Sequence, residues 1–316
     1  MPTSFQPLFI IGSPRSGTTM LQVLLGEHPQ VATTVELTLF PRYIGPWLQT
    51  WDEEKRNSTE GRWNQGLPFV FSREELKAHL QGFLESVYAK LQAQKSGATH
   101  VLDKYPANSM VTPLIRDFLP DARFIHVIRD GRDVACSMVA AARKIGFGTS
   151  TIRESAMAWK RHLLAAREAQ SSGDRYMEIR YEALVKEGVA SYRQVLDFCG
   201  LPYEEGWLAK VIEENSFEKM KAGRRSGDPS APVPEGHYRE GRVEGWRKTL
   251  SAEEAFDFER LAGDLLRELG YESSAAWWQR STVSDLVTRF KVEARRRITR
   301  ALRPWRRSRQ SAESAA

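Results

Sequence analysis

Apolar residues in this chain fall into short runs that alternate with helical patterns. Leu8 to Ile11 is an apolar run ending at Gly12, and from Thr18 the spacing of Met20, Leu21, Leu24 and Leu25 is helical, so the opening reads as strand, loop, helix. Val101-Leu102 and Arg123 to Ile128 are further strand candidates, each followed by a helix-like stretch, Ser109 to Phe118 and Asp133 to Ala142. Tyr176 to Arg180 is another strand, with helical stretches before it (Glu154 to Ala169) and after it (Ser191 to Cys199). Short strands alternating with helices predict an α/β fold, a P-loop-like three-layer arrangement in which helices flank a central, mainly parallel sheet.

Two stretches interrupt the alternation. Trp47 to Pro68 is polar and reads as an irregular insertion over the sheet edge. Gly223 to Gly245, dense in Gly, Pro and charge, reads as a long surface loop of the kind that covers a binding site. After Ser251 a helix to Leu269 closes the body, and no internal repeat is present.

Length and charge add a boundary. With 316 residues and 41% hydrophobic content the chain can bury a large core, and we divide it into a body, 1–279, and a basic helical tail, 280–316. From Arg280 onward eleven Lys or Arg stand against Asp285, Glu293 and Glu313, a net of +8, so the whole-chain +6 leaves the body near −2. The basicity therefore gives the body no electrostatic footprint for nucleic acid, and any anion site there must come from placed residues. Cys136 and Cys199 are too few for a disulfide framework and lack the paired spacing of a zinc site. The N-terminal apolar run is too short for a signal peptide or a membrane span, which suggests the cytoplasm.

The chemistry begins at Gly12-Ser13-Pro14-Arg15-Ser16-Gly17-Thr18-Thr19. The spacing is that of the nucleotide P-loop, G-x4-G-K-[ST], with Thr18 in place of lysine. A glycine-rich loop entering a helix N-terminus gathers backbone N–H groups and the positive end of the helix dipole at one spot, so an anion should bind. Loss of the lysine argues against transfer of a γ-phosphate; Arg15 and two threonines suit a less charged sulfuryl group held without a metal. An ordinary strand-to-helix turn is the plain alternative. A second stretch, Arg129-Asp-Gly-Arg132-Asp133-Val-Ala-Cys-Ser137, follows the third strand candidate. Arg129 and Ser137 could converge on one phosphate; alternatively Asp130 caps a helix and Arg132 makes a surface pair.

Together the two stretches resemble the sulfotransferases that use 3′-phosphoadenosine-5′-phosphosulfate (PAPS), which carry a PxxGTT-like loop and an RDxRDxxxS-like motif in this order. The resemblance implies that Arg15, Gly17, Thr18 and Thr19, with Gly12, Ser13, Pro14 and Ser16 completing the loop, hold the 5′-phosphosulfate, and that Arg129 and Ser137 hold the 3′-phosphate. It extends to Tyr181-Glu-Ala-Leu184, which adds Tyr181 to the nucleotide set, and to Arg239-Glu-Gly-Arg-Val-Glu-Gly-Trp246, whose Arg239 and Arg242 become 3′-phosphate candidates. A lysine expected just before that Trp is Gly245 here. The frame PRSGTT, His28-Pro29, a Glu eight residues past that His, Lys-x-Pro and RDGR is similar to that of the tyrosylprotein sulfotransferases and bacterial relatives. It implies Glu36 as general base and Lys104 beside the transferring group, with Arg15 and Lys104 stabilising the charge that develops. Outside that resemblance Glu36 could be a solvated or capping carboxylate and Lys104 a surface lysine. His28 is the alternate base, or a helix stop.

Relatives acting on protein tyrosines carry, two residues after the catalytic Glu, an arginine that reads acidic peptides; this chain has Thr38. A carbohydrate, lipid or small natural-product hydroxyl is the expected acceptor, with Trp47, Trp51 and Trp63 as an aromatic wall or as core. In the tail, Val283, Leu286, Val287, Phe290, Ala294, Ile298, Ala301, Leu302 and Trp305 recur at three- and four-residue spacing among arginines. That is an amphipathic basic helix for an anionic membrane surface, or else one docked on the body or a nucleic-acid arm. The rival functions are a P-loop kinase or NTPase, with Asp103 as its magnesium ligand, and a non-catalytic membrane or nucleic-acid binding module.

Overall fold

Five short strands form one parallel sheet in the order β2-β3-β1-β4-β5: β1 (Gln6–Ile11), β2 (Val31–Thr33), β3 (His100–Lys104), β4 (Arg123–Ile128) and β5 (Tyr176–Arg180). The computed structural model describes residues 5–62, 64–215 and 243–279. Trp63, Arg239, Arg242, nearly all of the 223–245 loop and the tail from Arg280 lie outside the described residues.

Both faces of the sheet's centre are covered, which is why β1 and β4 read as largely apolar runs rather than alternations. Phe9, Ile11 and Phe124 point to one side, where they meet Phe40, Leu48, Leu80, Leu84 and Ile115. Leu8, Ile10, Ile125 and Val127 point to the other, against Leu21, Leu24, Tyr192, Leu196 and Leu208. The helices that supply these layers are α1 (Thr18–Gly26), α2 (Gly45–Thr59), α3 (Arg73–Ala93), α4 (Thr112–Phe118), α7 (Tyr181–Lys186), α8 (Gly188–Cys199) and α9 (Glu205–Glu214). The remaining helices are α5 (Gly131–Ile145), α6 (Ile152–Arg167) and α10 (Ala252–Glu268). The chain groups into two units, one from residues 5–129 and 158–215, holding the whole sheet, the other from 130–157 and 243–279.

Two sequence expectations are corrected. The stretch from Trp47 to Pro68 is not irregular: Phe40–Ile44 makes a π-helical turn that runs into α2, and Leu67–Phe69 a short 3-10 turn. Ile44, Leu48 and Trp51, spaced four and three apart, are its buried stripe, and the polar residues between them hide the period. The single helix expected over Ser109 to Phe118 is a 3-10 turn, Pro106–Val111, followed by α4. Pro113 is tolerated in a first turn but not in a helix interior, so α4 starts at Thr112.

In the second unit, Asp130 caps α5 by accepting from Arg132 N at 2.9 Å. Arg132 is fully buried, its guanidinium bonded to Asp130 and Glu272 and lying 3.8 Å from the Trp246 ring and 4.6 Å from that of Trp277. The surface pair envisaged for it is thus replaced by a desolvated cage, in which stacking and paired carboxylates offset the burial of the charge.

Candidate active site

Leaving β1, the chain must turn at once from a central strand into α1. Gly12 (φ 141°) and Gly17 (φ 95°) make the turn. A Cβ on Gly12 would lie 2.6 Å from the Val127 carbonyl oxygen, and one on Gly17 2.3 Å from Tyr181 Cδ2, so neither position has room for a side chain. Between them Ser16 N donates to Ser13 O at 3.2 Å. Arg15, also left-handed at φ 69°, is held there because its carbonyl accepts from Arg129 Nη1 at 3.0 Å. The helix begins at Gly17 with no capping side chain, which leaves its first N–H groups and its positive dipole end for an anion.

The Arg129 guanidinium rests over the Tyr181 ring, 4.3 Å from its centroid, and its own carbonyl accepts from Trp159 Nε1 at 3.2 Å. Tyr181 is therefore the floor of this corner: its ring fills the space beneath Gly17 and braces Arg129. Ser137 stands nearly buried on α5 in the second unit.

At the end of β3, Lys104 Nζ donates to Glu36 Oε1 at 2.6 Å and to Thr19 Oγ1 at 3.3 Å. Residues far apart in sequence thus meet at the start of α1. Lys104 is only 4% exposed, so it is no surface lysine, whereas the Glu36 side chain is 42% exposed and reachable from solvent. Its partner is an ammonium group, so it is neither a helix cap nor merely solvated.

The profile of the sulfotransferase family matches residues 7–205, more than half the chain. The chain belongs to this family. It is 29% identical over 252 residues to an uncharacterized protein of Aquifex aeolicus, covering 78% of this chain and 31% of that one. It is 26% identical over 236 residues to the protein-tyrosine sulfotransferase of Drosophila melanogaster, covering 72% and 45%. The chain thus spans less than half the length of either relative. Its fold is like that of mouse sulfotransferase SULT7A1 complexed with PAP, with a TM-score of 0.55, 16% identity and coverage of 88% of this chain and 89% of that one.

Within this chain two other sequence candidates are excluded by their surroundings. Asp103, the possible magnesium ligand, is on the face of β3 opposite Lys104. There it is buried and accepts from Tyr88 OH at 2.8 Å and Asn108 Nδ2 at 3.2 Å, turned away from the phosphate loop. His28, the alternate base, is also buried. Its Nδ1 accepts from Gln30 N at 3.1 Å, which leaves Nε2–H to donate to Pro202 O at 2.8 Å, so both nitrogens are spent on holding the chain beyond α1. Burial also lowers its pKa. Trp51 is core, its Nε1 donating to Phe71 O, whereas Trp47 is 57% exposed.

One residue pair escaped the sequence reading. Asp133 accepts from Glu244 N at 2.9 Å and Trp246 N at 2.8 Å, so it anchors backbone 111 and 113 residues downstream instead of touching an anion. Nothing local in RDGRD separates that task from phosphate binding.

Desolvation pushes the Asp103 carboxyl up to about 6 from 3.8, against the lowering effect of the Tyr88 and Asn108 hydrogen bonds. Between about pH 4 and pH 6 the folded protein holds a proton that the unfolded chain has released, so this group's contribution to stability is present below pH 4 and is lost as pH rises through 6. Urea unfolding of Asp103→Asn and the parent at pH 4 and pH 7 should show the variant gaining relative stability at the higher pH. A difference that does not change with pH would refute this.

Proposed function

We propose that this protein transfers the sulfuryl group of PAPS to an acceptor hydroxyl, with Glu36 as general base. The observation that carries the reading is the meeting of Lys104 with both Glu36 and Thr19 at the start of α1. A carboxylate that can take a proton and the hydroxyl of an anion-binding loop are both hydrogen-bonded to one ammonium group, and in-line group transfer needs little else from a protein.

The donor set suits the 5′ end of PAPS: backbone N–H groups at the uncapped start of α1, the Thr18 and Thr19 hydroxyls, Arg15 and Lys104. Bound there, PAPS would supply the activated sulfuryl group. Glu36 would accept the acceptor's proton, and Lys104 and Arg15 would offset negative charge on the oxygens around the transferring group. Arg129 and Ser137, by their motif, would hold the 3′-phosphate, with Arg239 and Arg242 as further candidates. The position of Asp103 speaks against the kinase reading, because a magnesium ligand must face the phosphates.

For the acceptor, a carbohydrate, lipid or small natural product fits better than protein tyrosine. Thr38 stands where the tyrosine-acting relatives carry arginine, and Tyr43 and Trp47, one helical turn apart and both exposed, give the segment after Glu36 an aromatic surface. Among the described residues no helix is long and apolar enough to cross a membrane. A cytoplasmic enzyme peripheral to the inner membrane face, drawn there by the basic tail, is our reading from sequence.

Calorimetric titration without magnesium should show binding of PAPS and of adenosine 3′,5′-bisphosphate (PAP), and only weak binding of ATP. Tight magnesium-dependent ATP binding would instead establish the kinase. Glu36→Gln should keep PAP affinity within about threefold while transfer of radiolabel from PAPS to hydroxyl compounds of host extract falls by about 10² or more, the usual worth of a general base. Undiminished transfer would remove Glu36 from that role.

A further inference from the structure

Helix α1 carries one polar side chain where its neighbours are core. Gln22 is buried beside Leu21, Val23, Leu24 and Leu25, one helical turn beyond Thr19. A buried amide is costly unless its hydrogen bonds are made, and here they are. Gln22 Nε2 donates to Thr33 Oγ1 at 3.2 Å and to the Thr34 carbonyl oxygen at 2.5 Å. Thr33 Oγ1 in turn donates to Leu102 O at 3.0 Å. Because the threonine's one proton is committed to Leu102, its oxygen can only accept from Gln22, which fixes the orientation of the amide and spends both of its hydrogens.

The three segments so joined are the three that bring Thr19, Glu36 and Lys104 together. Thr34 lies two residues before Glu36, Leu102 two residues before Lys104, and Thr33 pairs with Leu102 in the parallel ladder. Beyond Thr33 the chain leaves the sheet, and Glu36 stands on irregular backbone that reaches a left-handed Thr38 at φ 55°. The last fastening before the carboxylate is the bond from Gln22 to Thr34.

We infer that Gln22 is a positioning residue for Glu36, tying the base to the helix that begins at the phosphate loop. The inference rests on the reading of Glu36 as general base. Two donors on a side chain of this length are required; Met has the length without the donors. Gln22 touches neither the loop nor the carboxylate, so its loss should spare nucleotide binding and disturb only the placement of Glu36, where an error of about 1 Å can cost on the order of 10² in rate.

The test uses the full chain with Gln22→Met and, in case that variant folds poorly, Thr33→Val, which keeps a β-branched strand residue and removes the hydroxyl. Three quantities are read: PAP affinity by calorimetry, label transfer from PAPS to 4-nitrophenol, and amide exchange in 34–38 against 12–19. For Gln22→Met the expected result is PAP affinity and the Michaelis constant for PAPS within about threefold of the parent. Turnover should fall by about tenfold or more, and exchange in 34–38 should rise by about tenfold with 12–19 unchanged. Thr33→Val should follow in the same direction with smaller changes. Unchanged exchange in 34–38 in either folded variant overturns the inference, as does a loss of PAP affinity equal to the loss of turnover. Glu36→Gln run alongside separates the two claims: if it keeps full turnover the reading of Glu36 fails, whereas if it is inactive and Gln22→Met is not, only the inference fails.

Discussion

The tight exit from β1 governs the rest of the site. β1 lies between β3 and β4, and its chain must climb out of the sheet against the Val127 carbonyl on one side and the Tyr181 ring on the other. Only glycine fits at Gly12 and Gly17, and the backbone bent around them ends in an uncapped helix start. All five strands are parallel, so Ile11, Thr33, Lys104, Ile128 and Arg180 end on the same edge of the sheet. Order β2-β3-β1-β4-β5 sends the connection leaving β1 to one side and the connection leaving β4 to the other, and ligands of open α/β sheets bind outside the carboxyl ends at such a switch point. Glu36, Lys104 and Arg129 need no individual coordination: Lys104 ends β3, and Glu36 and Arg129 follow the ends of β2 and β4.

How much of this the sequence disclosed depends on the range of the signal. β1 and β4 were legible because a strand buried on both faces is a largely apolar run, β5 because its Met and Ile alternate with polar residues between two helical stretches, and α10 because Ser251 opens a capping box. β2 was missed: three residues are too few for any period, and Val31–Thr33 becomes a strand only because β3 offers it a partner. α3, the longest of the described helices, was legible in principle. Ser72 and Glu75 form a capping box, and Leu76, Leu80, Leu84, Tyr88 and Leu91 are its buried stripe. Burial of each such residue is worth about 1.5–3 kcal/mol, far more than the propensity differences that its polar residues suggest.

The site divides along the same line. The phosphate loop is a contiguous motif whose constraint, glycine where no Cβ fits, is local and so visible. Glu36 and Lys104 carry no local mark, and resemblance to a known frame was needed to single them out, since their contact spans 68 residues. Gln22 and Asp133 were passed over, and Arg132 was given a surface pair, for the opposite reason. Each sits within or beside a recognisable motif, but its partners are backbone or side chains elsewhere, and a motif cannot say which of its members face a ligand.

On the proposed reading, the lysine that Thr18 replaces in a P-loop has its counterpart in Lys104. In a P-loop the ammonium group reaches the transferring phosphoryl from within the loop and acts with a metal ion. Here the cation arrives from the neighbouring strand, almost wholly buried, and its Nζ bridges the loop hydroxyl of Thr19 and the carboxylate of Glu36. A lysine in that position would be costly to bury alone; the carboxylate and the hydroxyl compensate. Moving the charge from loop to strand leaves position 18 to a neutral hydroxyl and couples the ammonium directly to the proposed base, an arrangement suited to a group less charged than a phosphoryl. It also makes the site dependent on the registration of α1, β3 and the segment after β2, because no single loop contains all of its chemistry.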